Sequence, residues 1–304
     1  MVAERPGSVI RLGTRGSALA LRQAEMTAEL LRHRVYDAKV EVVVIRTEGD
    51  AVQDRPVSQF GDKGIFVRAI ETALLDGRVD LAVHSLKDVP ADLEHPGLTL
   101  AGYSARADPR DVLVSRRGEQ LAGLPAGARI GTSSLRRRVQ LMAVRPDTLA
   151  MEIRGNVDTR LGKLANCEYD ALMLAAAGLH RLGRQDRISQ YLPVEMFVPD
   201  AGQGIIALQA RRDSPASEWA KAISDPVSAV AALAERAAVR AMHADCRSPV
   251  GIYAKVWGAE VHVLGMAADE DGSELVRHEL RGQVAAAEAL GTEIGRQLLR
   301  WLST

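Results

Sequence analysis

Aromatic residues make up only 4% of this 304-residue chain, and cysteine occurs twice, at Cys167 and Cys246. So few rings leave the cores to aliphatic side chains and offer no platform on which successive bases could stack. Two distant cysteines without metal-ligand spacing exclude a disulfide framework and point away from a zinc site. No stretch of about 18 apolar residues occurs, so no membrane span is expected. The opening MVAERPGSVI lacks the apolar run of a secretory signal. Lysine is scarce too, 6 against 33 arginines, in a chain whose formal net charge is zero. That balance removes the basic field a nucleic-acid binder would use. No Walker-type loop is found, and the Gly-containing turns are too short to cradle a triphosphate. The expectation is a soluble, cytoplasmic protein that binds neither nucleic acid, membrane nor metal.

What is present is enough apolar residue for real cores, 47% of the chain, and a length that suggests two or three domains. VIRLG (9–13), KVEVVVIR (39–46) and VDLAVHS (79–85) read as strands. Helical patterns separate them at 17–34, with Ser17 as N-cap, and at 64–77, ending near Gly77. This βαβαβ order predicts a parallel sheet covered by helices. A second set follows, with strands at 111–115, 128–132, 149–155 and 169–178 and helices at 134–145 and 156–166. Beyond about residue 225 an Ala-rich helix (228–244), three antiparallel strands and a closing helix suggest a small α+β unit. The expected fold class is α/β: two α/β domains followed by a small α+β domain.

One internal echo is informative. IRLGTRGSALALRQ (10–23) and ARIGTSSLRRRVQL (128–141) share a strand, Gly-Thr, Ser, Leu and a helix start. Self-similarity of this kind predicts two halves built alike. A Ser or Thr before a helix is commonly just its cap, but such a terminus also offers free N–H groups to an anion.

The arginines are placed unevenly. Three in a row, Arg136 to Arg138, stand at a helix start, where the helix dipole favours acids. Arg15, Arg154, Arg160 and Arg181 also sit where strands end and helices begin. An Arg-rich composition accounts for part of this, but the placement implies a ligand with several carboxylates or phosphates held by planar forks. VHSLKDVP (83–90) puts His84, Ser85, Lys87 and Asp88 at the C-terminal end of a strand, where ligands of open α/β sheets bind. HADCRSPVG (243–251) sets Cys246 on a polar loop beside Arg247, a cation that favours thiolate. A small polyanion between two α/β domains fits these features. A solute-binding module without chemistry has the same scaffold, but would need neither Cys246 nor Asp88.

Long stretches of the sequence resemble the porphobilinogen deaminase family: RLGTRGSALALRQ, GDKGIFVRAIE, VHSLKDVP, DPRD, GTSSLRRR, RGNVDTRLGKL, YDALMLAAAGLHRLG, AGQGIIALQAR and the Cys246 loop. They run from residue 11 to about 251. The resemblance implies a transferase that joins four porphobilinogen molecules head to tail, expelling ammonia each time, and releases hydroxymethylbilane by hydrolysis. It implies a dipyrromethane cofactor held on Cys246 by a thioether. It assigns Lys87, Asp88, Ser133, Ser134, Arg136, Arg137 and Arg160 to the cofactor. It assigns Arg15, Ser17, Lys63, Arg154, Arg181 and Gln203 to the substrate, and leaves Arg138 and Cys167 outside the site. Asp88 would carry the chemistry as a buried carboxylate beside a pyrrole N–H. The implied fold has two domains like type II solute-binding proteins, 1–103 with 200–222 and 104–199. An α+β domain at 223–304 bears the cysteine. A mobile loop at 47–63 and a monomeric state are further implications. Two positions depart from the family pattern: Ala244-Asp245, where Gly-Gly is common, and Gln59, where a basic residue often stands.

Overall fold

The computed structural model describes residues 9–35, 39–46, 65–92, 95–245, 248–269 and 272–302. The chain divides into two units, Met1–Arg106 with Ile205–Ala229, and Ala107–Gly204 with Val230–Thr304. Among the described residues no helix is long and apolar enough to cross a membrane, and no cluster of His, Cys, Asp or Glu could hold a metal.

In the first unit, strand β1 (Val9–Thr14) leads into helix α1 (Ala18–Arg34), then β2 (Lys39–Val44), α2 (Ile65–Leu75), β3 (Leu81–Ser85) and β4 (Leu98–Tyr103). The chain departs and returns as β10 (Ile206–Arg211) and helix α6 (Pro215–Ala222). The sheet order is β2-β1-β3-β10-β4. β1 is parallel to β2 and β3, as the βαβαβ pattern predicts. β10 runs antiparallel to β3 and β4, so the sheet is mixed rather than wholly parallel. A strand arriving from the far end of the chain is not bound by the crossover rule that makes local βαβ neighbours parallel. Apolar residues fill both faces: Ile10, Leu12, Leu31 and Val83 on one, Ile70, Leu74 and Val79 on the other.

The second unit repeats the plan. β5 (Asp111–Ser115), β6 (Arg129–Gly131), α3 (Leu135–Val144), β7 (Leu149–Met151), α4 (Val157–Ala165), β8 (Ala171–Ala175), α5 (Ala176–Arg181) and β9 (Gln190–Tyr191) give the order β7-β6-β8-β5-β9. The sequence echo is thus a structural one. Two spans are shorter than the apolar runs suggest: the strand expected over 149–155 ends at Met151, and that over 169–178 turns helical at Ala176. Ala-Ala-Ala-Gly has no strand preference, and an apolar run alone cannot separate buried strand from buried helix.

The same unit holds helix α7 (Pro226–Met242) from Val230 onward, an antiparallel sheet β11 (Val250–Trp257), β12 (Glu260–Ala268) and β13 (Leu275–Gln283), and helix α8 (Ala287–Leu302). Ile252, Val261, Val263, Ile294 and Leu298 form its core. The sheet also packs against the second unit's α3, where Val139 meets Leu264 and Met266.

Candidate active site

In the first unit β3 ends at Ser85 and a single 3-10 turn, Leu86–Asp88, follows. Beside it lies a cavity of about 90 Å3 whose lining includes Arg15, Ser17, Leu19, Ala20, His84 and Asp88. Ser17 is the N-cap of α1 and accepts the amide of Ala20 at 3.3 Å. The strand end and the helix start thus bring Arg15, Ser17 and Asp88 together, with Lys87 half-buried on the same turn. Asp88 itself is exposed, not buried, because it sits on a one-turn helix beyond the C-terminal end of the central strand β3 rather than within the sheet.

Below these residues runs a buried polar chain that the sequence did not announce. His84 Nε2 lies 3.1 Å from Gln209 Oε1, and Gln209 Nε2 donates to Glu71 at 2.7 Å. Gln209 therefore presents its oxygen to the imidazole, which must carry its proton on Nε2. Burial, with the nearby Arg15 cation, pushes the His84 pKa down to about 4 against the partial offset of the Gln209 bond. The ring is neutral at pH 7.

In the second unit the equivalent helix start is crowded with cations. Ser134 caps α3 and accepts the amide of Arg137. Ser133 Oγ donates to the Ile153 carbonyl. Arg136 and Arg137, both buried, converge on one carboxylate, Asp111, which is 0% exposed. Arg136 Nη1 donates to Asp111 Oδ2 at 2.7 Å. Arg137 donates to Oδ1 from Nε at 3.0 Å and from Nη2 at 2.8 Å. Gln203 Nε2 donates to the same Oδ1 at 2.9 Å and to the Pro109 carbonyl at 2.8 Å. The Asp111 carboxyl has a desolvation cost, but the two guanidinium groups outweigh it and hold the pKa well below the usual range.

Two further arginines stand without acids. Arg160 Nε donates to the Gly155 carbonyl at 2.8 Å, and Arg181 Nη2 to the Gly204 carbonyl at 2.7 Å, while its buried Nε has no partner. Burial lowers both pKa values to about 10, and the Arg137 cation adds to the shift at Arg160. Among the described residues no carboxylate pairs with either guanidinium. Arg154 is different, being ion-paired with Glu152. Lys63, Gln59, the loop at 47–63, Cys246 and Arg247 lie outside the described residues. The turn flanking Cys246 is held at both ends: Asp245 N donates to Ser248 Oγ at 3.0 Å and Ser248 N to the Asp245 carbonyl at 3.0 Å. A larger open hollow of about 400 Å3 between α7 and α8, with Arg240, His243 and Arg296 on its walls, holds none of the residues named above.

Desolvated cations with spare N–H groups are complementary to a ligand carrying carboxylates. A model described as porphobilinogen deaminase, dipyromethane cofactor binding domain, matches residues 10–218, and the C-terminal domain of the same family matches 229–300. The chain belongs to the porphobilinogen deaminase family. The porphobilinogen deaminase of Syntrophobacter fumaroxidans is 44% identical to it over 292 residues, covering 96% of this chain and 94% of its own. That of Roseiflexus castenholzii is 46% identical over 291 residues, covering 95% of each. The backbone also resembles the periplasmic VFT2 domain of BvgS from Bordetella pertussis, at a TM-score of 0.41, 17% identity and coverage of 71% of this chain and 86% of that one. At that distance no chemistry follows from it.

The stretch matched to the porphobilinogen deaminase cofactor-binding domain contains Asp88, Arg136, Arg137, Arg160 and Arg181. The positive charges of the four arginines and the orphaned Nε atoms of Arg136 and Arg181 suit a carboxylate-rich pyrrole group. Asp111 closes the family-like stretch DPRD and opens the apolar strand DVLVS, but neither setting assigns it a role; its part in the site shows only in its contacts with Arg136 and Arg137. Gln203 is found fully buried.

Proposed function

We propose that this chain condenses four porphobilinogen molecules head to tail on a dipyrromethane primer joined to Cys246 by a thioether, and releases hydroxymethylbilane by hydrolysis. The observation that carries this reading is the pair of half-buried guanidinium groups, Arg160 and Arg181, with no carboxylate partner among the described residues and pKa values lowered by desolvation, in a chain of this family. When bound, the dipyrromethane supplies the pyrrole carbon to which each unit is added. Arg136, Arg137 and Arg160, with Lys87, Ser133 and Ser134, hold its carboxylates. Arg15, Ser17, Lys63, Arg154, Arg181 and Gln203 serve the incoming porphobilinogen. Each unit brings an acetate and a propionate, so several forks are needed rather than one.

Asp88 lies on the cavity wall within the same small group as Arg15 and Ser17. Breaking the C–N bond of the aminomethyl group releases ammonia and leaves a cation shared with the pyrrole nitrogen. A carboxylate near that N–H stabilises the charge as it develops. The same group gives a proton to the leaving amine and takes one from the attacked α-carbon. His84, neutral and fixed by Gln209, adds no second positive charge at the place where this cation forms. The reading also divides the chain into 1–103 with 200–222, 104–199 and 223–304, and makes it a cytoplasmic monomer.

Intact-protein mass after purification, combined with Ehrlich's reagent for pyrroles, tests it. A mass excess equal to two linked porphobilinogen units, absent from Cys246→Ser, is expected. An unmodified protein is incubated with porphobilinogen and weighed again. If no pyrrole adduct forms then, the chain is a binding protein on this scaffold and not the transferase.

A further inference from the structure

The two five-stranded sheets share a strand plan and match at particular positions. Arg11 clamps Asp80 with its backbone amide at 2.9 Å and its Nε at 3.0 Å. Arg129 clamps Asp170 in the same way, at 2.9 and 3.2 Å. Ser17 and Ser134 cap the following helices and accept the amides of Ala20 and Arg137 respectively. Leu19 and Ala20 of the first unit are therefore the counterparts of Arg136 and Arg137 in the second. On the strand side, Ile206 pairs with Ser85, the last residue of β3. Asp111 pairs with Ala175, the last residue of β8. Ile206 and Asp111 are thus counterparts, 3% and 0% exposed.

The molecule contains its own control. Where the first unit uses Ile206, Leu19 and Ala20, the second uses Asp111, Arg136 and Arg137. The fold does not require ions at these places. Replacing a buried ion cluster by apolar residues is commonly neutral or stabilising, so stability does not explain the triad. Its stoichiometry is also unbalanced for a structural role. One carboxylate receives two guanidinium groups and the Gln203 amide, and Arg136 Nε is left without a partner.

We propose that Asp111 is a positioning residue. It holds the two forks in the one orientation in which their remaining N–H groups take the carboxylates of the pyrrole primer. This rests on the function proposed above. Misplacing a binding group by about 1 Å can cost about a hundredfold, and losing Asp111 leaves each fork on a single backbone carbonyl, Arg136 on Val198 at 2.7 Å and Arg137 on Met173 at 3.1 Å.

Four full-length proteins decide it: wild type, Asp111→Asn, Asp111→Glu, and a triple variant, Asp111→Ile with Arg136→Leu and Arg137→Ala, that installs the first unit's residues. Each is prepared without pyrrole. Each is then incubated with porphobilinogen well below the lowest unfolding temperature of the set, and pyrrole uptake is followed by intact mass. The triple variant is expected to unfold at or above the wild-type temperature and to take up no pyrrole. Asp111→Asn is expected to load about tenfold more slowly or worse. Asp111→Glu keeps the charge but moves it, and is expected to load severalfold more slowly while unfolding near the wild-type temperature. A triple variant that fails to fold makes the triad structural and overturns the proposal. Wild-type loading by Asp111→Glu, or by a folded Asp111→Asn, overturns it as well while leaving the proposed function intact. Wild type that takes up no pyrrole overturns the function itself, and this role with it.

Discussion

At the scale of single residues, burial and exposure separate chemistry from support. Asp88 is exposed, so its carboxylate contributes little packing. Asp88→Asn should keep the wild-type unfolding temperature and largely abolish turnover, read as hydroxymethylbilane formed per enzyme. Near-normal turnover would remove Asp88 from the chemistry. Arg181 is the opposite case, a half-buried cation with no acid beside it among the described residues, so its partial desolvation is a cost to the folded state. Arg181→Met removes that cost, and the Gly204 carbonyl it served still accepts the amide of Ala107 at 3.1 Å. The variant should unfold at the same temperature as wild type or higher, yet lose about tenfold in kcat/KM, roughly the 1.4 kcal/mol of one charge-assisted contact. A variant that is both less stable and fully active would make Arg181 structural.

At the scale of elements, glycine shows how packing decides the sign of one substitution. A Cβ on Gly291 of α8 would come within 2.0 Å of the Ala234 carbonyl oxygen of α7, and one on Gly295 within 2.5 Å of that of Ala238. Both obstacles are helix backbone, which cannot yield locally. Gly291→Ala should destabilise by about 2–3 kcal/mol, as overpacking does. Gly162 in α4 has nothing near its missing Cβ, so Gly162→Ala should instead stabilise by about 0.5–1 kcal/mol through helix propensity. Urea midpoints compare the two directly; a Gly291→Ala variant as stable as wild type would refute the close α7–α8 crossing, and a destabilised Gly162→Ala would refute the open space at that site. The same scale shows what could be read in advance. VIRLG, KVEVVVIR and VDLAVHS were legible because their apolar runs end at turn residues. The paired GT…S helix starts were legible because a cap leaves a mark in sequence. β4, β9 and α6 were not anticipated: LTLAGY and QY are short, and β9 pairs with a strand far away in sequence. The site divided the same way. Arginines at helix starts stood out against the dipole rule, whereas Asp111 and the His84–Gln209–Glu71 chain exist only through contacts between distant segments.

At the scale of the whole molecule, the two units carry different buried ionisable groups and should answer acid differently. In the first, His84 is held neutral with a pKa of about 4, against 6.5 for an unconstrained imidazole. Between those values the unfolded chain binds a proton that the native unit does not. This contribution to stability is complete above about pH 6.5 and falls as the pH drops toward 4, with a limiting slope of about 1.4 kcal/mol per pH unit. In the second unit the shift is of the other kind. Asp111 is stabilised as a carboxylate, so its contribution persists until the pH falls below the ordinary carboxyl range near 3.8. Acidification from pH 7 to 5 should therefore loosen β3 and β10 while β5 and β8 hold. Hydrogen exchange, corrected for intrinsic rates, would show protection falling in the first pair and not in the second. His84→Gln, whose amide can still donate to Gln209, should remove the acid slope. Equal losses in both sheets, or an unchanged slope in His84→Gln, would mean that His84 does not set the acid limit of the first unit.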